Sequence, residues 1–107
     1  MLERDIRTLF AVEKDHPTPL ERGAIIQKEL GLLLYRLVLA AKFPEDKKLY
    51  ESDLITDGGQ LLIQVEMLLH QLGINPNMAR KLMIDETLTK YREFDRKGWG
   101  KNEKISI

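Results

Sequence analysis

The sequence predicts an all-α fold, a four-to-five-helix antiparallel bundle that oligomerises, and three observations carry that expectation. Apolar residues recur at helical spacing, and no stretch shows the strict alternation of a half-buried strand. Two cap-then-proline pairs, Thr18-Pro19 and Asn75-Pro76, mark helix starts, and Gly73 marks a helix stop. The connections between periodic segments are short to moderate, which favours antiparallel neighbours.

Each element follows from a local signal. Leu2, Ile6, Leu9 and Phe10 form one apolar stripe, so helix 1 is expected over about residues 2–14, ending before Pro17. Thr18-Pro19-Leu20-Glu21 combines a capping box with a proline at the first helical position, so helix 2 starts at Pro19. Its leucines and valine, from Leu30 to Leu39, occupy too much of the circumference for one stripe and need cover on several sides. That excess predicts a homo-oligomer, at least a dimer. Phe43-Pro44 opens a charged connection, Ser52 offers an N-cap for helix 3, and Gly73 closes that helix. Helix 4 follows Asn75-Pro76 and runs to about Phe94, with Met78, Leu82, Leu88 and Tyr91 expected inward. One all-helical domain over residues 1–107 is expected, with 95–107 a loose tail.

Composition narrows the function. Lys plus Arg and Asp plus Glu each number 17, so no net positive field draws in nucleic acid or an anionic membrane. No nucleic-acid or membrane partner is expected. The most apolar run, Leu30 to Ala41, is interrupted by Arg36 and is shorter than the roughly 20 residues that span a bilayer. Cysteine is absent, which removes disulfides and thiolate metal sites, and the charged N-terminus does not resemble a signal peptide. The expected compartment is the cytoplasm. Ser52 and Ser106 lack a histidine in a nucleophile arrangement, and His16 and His70 lack ligand partners one turn away.

The most informative pattern lies on helix 3, where Asp53, Asp57, Gln60, Gln64 and Gln71 fall along one edge of an otherwise apolar helix. A solvated face accounts for such a row. So does a row of oxygen donors lining a groove between helices, the donor chemistry that Mg²⁺ prefers. On helix 2, Glu29 sits within the apolar run with Lys28 and Arg36 nearby, and reads either as a boundary ion pair or as a ligand. Gly58-Gly59 interrupts helix 3, which calls for close approach by a helix or ligand, or for a helix that begins only after Gly59. Basic residues at Arg80-Lys81 and from Lys90 to Lys101 form a solvated face or a phosphate-binding rim.

From about residue 18 to 92 the order of residues resembles the MazG-like branch of the all-α nucleoside triphosphate pyrophosphohydrolases. Lys28-Glu29-Leu30-Gly31-Leu32-Leu33 is similar to that family's Glu-Glu-Leu-Gly-Glu-Leu, and Asp57-Gly58-Gly59-Gln60-Leu61-Leu62-Ile63-Gln64 to its Glu-Leu-Ala-Asp-Val-Leu-Ile-Gln. Leu72-Gly73-Ile74-Asn75 is similar to the family's exit into its last helix. The resemblance implies an oligomeric helical enzyme that cuts a nucleoside triphosphate to monophosphate and pyrophosphate with Mg²⁺. It implies Glu29 and Asp57 as catalytic metal ligands, joined by Asp53 and Gln60, with Lys90 and Lys81 facing the phosphates. Leu32 and Gln60 stand where the family has its second and fourth carboxylates, and Met83 and Thr87 where it has Lys and Asn. Two functional readings follow: a pyrophosphohydrolase-like protein with a degenerate site, and a non-catalytic helical protein that binds a nucleotide or serves as an oligomeric partner.

Overall fold

The computed structural model describes residues 5–97, the Lys47 side chain excepted. The described residues form four α-helices and one 3₁₀ turn, with no strand among them: α1 (Ile6–Val12), α2 (Pro19–Lys42), the turn at Pro44–Asp46, α3 (Lys47–Gln71) and α4 (Pro76–Lys97). The all-α class expected from periodicity holds. The chain divides into two compact units, the first ending at Ile74 and the second beginning at Asn75.

In the first unit, α2 and α3 are long helices that pack along one another, and α1 lies against α3. The boundaries follow capping chemistry. Asp5 accepts a hydrogen bond from the Thr8 amide at 3.0 Å and caps α1 at Ile6, while residues 2–4 of the expected helix lie outside the described residues. Helix α1 stops at Val12, earlier than expected, because Glu13 adopts extended backbone and Asp15 the left-handed region at φ 53°. Thr18 and Glu21 make a reciprocal capping box, the Glu21 amide donating to Thr18 Oγ1 at 3.1 Å and the Thr18 amide to Glu21 Oε1 at 3.0 Å. These backbone and side-chain hydrogen bonds from Thr18 hold the Glu21 carboxyl below its ordinary range.

The start of α3 differs from the expectation. Pro44 opens a 3₁₀ turn that rolls directly into the helix at Lys47, a position where proline's missing amide costs nothing. Ser52 is therefore interior, and its carbonyl accepts from Thr56 Oγ1 at 3.0 Å. Gly58 and Gly59 lie within a continuous helix, which removes the reading that α3 begins after them. A Cβ built on either meets nothing within 4 Å, so none of the described residues approaches them closely. The C-terminus of α3 is a Schellman turn. The Ile74 amide donates to the Leu69 carbonyl at 2.8 Å and the Gly73 amide to the His70 carbonyl at 3.0 Å, with Gly73 at φ 80°.

The centre of this unit is unusual. Among the described residues only Met67 is a buried apolar residue, at 4% exposure, and Arg22 is buried completely. On α2, Leu30, Leu32, Leu34 and Val38 are exposed. No described helix is long and apolar enough to cross a membrane.

The second unit contains α4, started by Asn75, whose Oδ1 accepts from the amides of Asn77 at 2.9 Å and Met78 at 3.2 Å. The residues expected inward, Met78, Leu82, Leu88 and Tyr91, are all exposed. At about 100° per residue they do not share one face: Met78 and Leu82 fall on one side, Leu88 and Tyr91 on another with Met83 and Ile84. The residues assigned to the tail from Gly98 onward lie outside the described residues.

Candidate functional site

The side of α2 that faces α3 carries Arg22, Glu29 and Arg36 at intervals of seven residues, a spacing that returns nearly to the same helical face. Opposite them stands the polar row of α3. Arg36 Nη1 lies 3.6 Å from Asp53 Oδ2, and its Nε lies 3.4 Å from Asp57 Oδ2. Arg22 donates from Nε to Gln71 Oε1 at 2.8 Å and from Nη1 to Gln64 Oε1 at 3.0 Å. Moving from Arg22 to Arg36 along α2 moves the contact back from Gln71 to Asp57 along α3, by the same number of residues. The two arginines thus mark one antiparallel register.

Four of the five residues in the row expected on α3 are therefore not free oxygen donors. Gln64 and Gln71 accept from Arg22, Asp53 and Asp57 form ion pairs with Arg36, and Gln60, between the two groups, is exposed.

The Arg22 cluster is the better satisfied. Its remaining donors reach Glu13, from Nη2 to Oε1 at 2.5 Å and from Nη1 to Oε2 at 3.2 Å, a bidentate fork. This hydrogen bonding by Arg22, helped by that of His16, holds the Glu13 carboxyl below its usual range against the opposing effect of burial. Gln71 is fixed in turn, since its Nε2 donates to the Pro17 carbonyl at 2.6 Å. Phe10 stacks on His16 with ring centroids 3.9 Å apart, meets the edge of His70 at 5.0 Å, and lies 6.0 Å below the Arg22 guanidinium. His16 Nδ1 is 2.8 Å from Glu13 Oε1. The two histidines, far apart in sequence, thus flank one phenylalanine. Sequence reasoning assigned no role to Glu13, His16, Arg22 or His70, and the signal available was the seven-residue recurrence from Arg22 to Arg36.

The Arg36 cluster is looser. Asp57 has a side chain 14% exposed, and its Oδ2 and Arg36 Nε are buried atoms with no hydrogen bond, their mutual distance being longer than a good N–H···O bond. Glu29 is half-buried on the same side of α2 and, among the described residues, makes no hydrogen bond or ion pair. The boundary ion pair with Arg36 does not form, because Arg36 turns to α3.

These residues were tested as a Mg²⁺ site. Hard cations take six or more oxygens, several of them anionic, with no competing cation at the carboxylates. Here Arg36 holds both aspartates, Gln60 is neutral and exposed, and no group of three or more acidic or histidine side chains among the described residues is placed to hold a metal ion. As arranged, the residues do not fit the ion. Lys81 and Lys90 belong to α4, where both are exposed and Lys90 Nζ lies 4.0 Å from Glu86. Compared with family models, curated proteins and solved structures, the chain matches none.

Proposed function

We propose that this chain is a non-catalytic, self-associating helical module, in which the acidic end of the α3 row is a structural seam. The observation that carries this reading is Arg36 between Asp53 and Asp57: a guanidinium at 3.4–3.6 Å from two carboxylates occupies the space and the negative charge a divalent cation requires. Self-association is supported by the exposed apolar side chains of α2: Leu30, Leu32, Leu34 and Val38 lie on a helix whose other side already packs on α3.

One observation favours the other reading, hydrolysis of a nucleoside triphosphate to monophosphate and pyrophosphate. Glu29 is half-buried and unpaired on the same seam as the two aspartates. That reading requires Arg36 to leave the carboxylates.

Melting temperature and pyrophosphate release, both followed while Mg²⁺ or Mn²⁺ is titrated with a mixture of nucleoside triphosphates, separate the two. A ligand of the native state raises the melting temperature by mass action. The expected result is no shift and no pyrophosphate. A metal-dependent rise that Asp57→Asn abolishes, accompanied by turnover, overturns the non-catalytic reading and restores the hydrolase.

A further inference from the structure

We draw no further inference here: the strongest candidate, the exposed apolar face of α2 that carries Leu30, Leu34 and Val38, has nothing in the structure to show what covers it.

Discussion

Replacing Arg22 with methionine removes the one fully buried charge among the described residues and keeps an unbranched apolar stem. Four N–H···O hydrogen bonds disappear, two to Glu13 and one each to Gln64 and Gln71. Removing one partner of a buried pair typically costs about 3–5 kcal/mol, most of it for the acceptors left behind. Glu13 keeps 23% of its side-chain exposure and regains some water, and Gln71 keeps its bond to the Pro17 carbonyl, so the low end of about 3 kcal/mol is expected. For a domain of this size that is a fall in melting temperature of roughly 12–20 °C, read by circular dichroism at one fixed protein concentration because association contributes to stability. Arg22→Lys recovers little, since an ammonium lacks the planar fork that serves Glu13, Gln64 and Gln71 together. Glu13→Leu added to Arg22→Met recovers part of the loss, because the orphaned carboxylate goes too. A loss below about 1 kcal/mol for Arg22→Met refutes the argument that this arginine organises the unit.

Two further outcomes follow from the same geometry. Because the carboxyl of Glu13 is held below its ordinary value by Arg22, its contribution is present above the unfolded-state value of 4.5 and is lost as pH falls through the lowered folded value. Acid unfolding monitored from pH 6 to 2 is therefore expected to be shallower in Glu13→Gln, and an unchanged acid limb contradicts the assignment. Gly58→Ala and Gly59→Ala are each expected to raise stability by roughly 0.5–1 kcal/mol in chemical denaturation, as both are interior to α3 with open space around the missing Cβ. A loss instead shows that something outside the chain approaches those glycines.

The helices were legible because their signals are local. Thr18-Pro19, Gly73 and Asn75-Pro76 each act within a few residues, and each does in the structure what its chemistry implies. The errors at α1 and α3 arose where a distant demand prevailed: Glu13 leaves the helix and reaches Arg22, and Lys47 through Ser52 continue a helix that no internal cap was needed to start. The polar row of α3 was visible as a row, but its meaning was not. Whether Asp57 and Gln64 face water, a cation or an arginine depends on which α2 residue stands opposite, and that register is a property of two helices. Arg22, one charge amid a helical pattern, reads from sequence as surface, since arginine is seldom fully buried unless paired. Its partners come from two separate segments, the connection after α1 and the C-terminal half of α3.

The clasp around Arg22 also orders events in time. Glu13 grips a guanidinium whose position is set by Gln64 and Gln71, so its binding place exists only once α2 and α3 have zipped into register. The hairpin closes mainly neighbouring segments, whereas the Gln71–Pro17 bond and the Phe10–His70 contact span most of the first unit. Helix α1 is accordingly expected to dock last and detach first, its amides exchanging hydrogen ahead of those of α2 and α3.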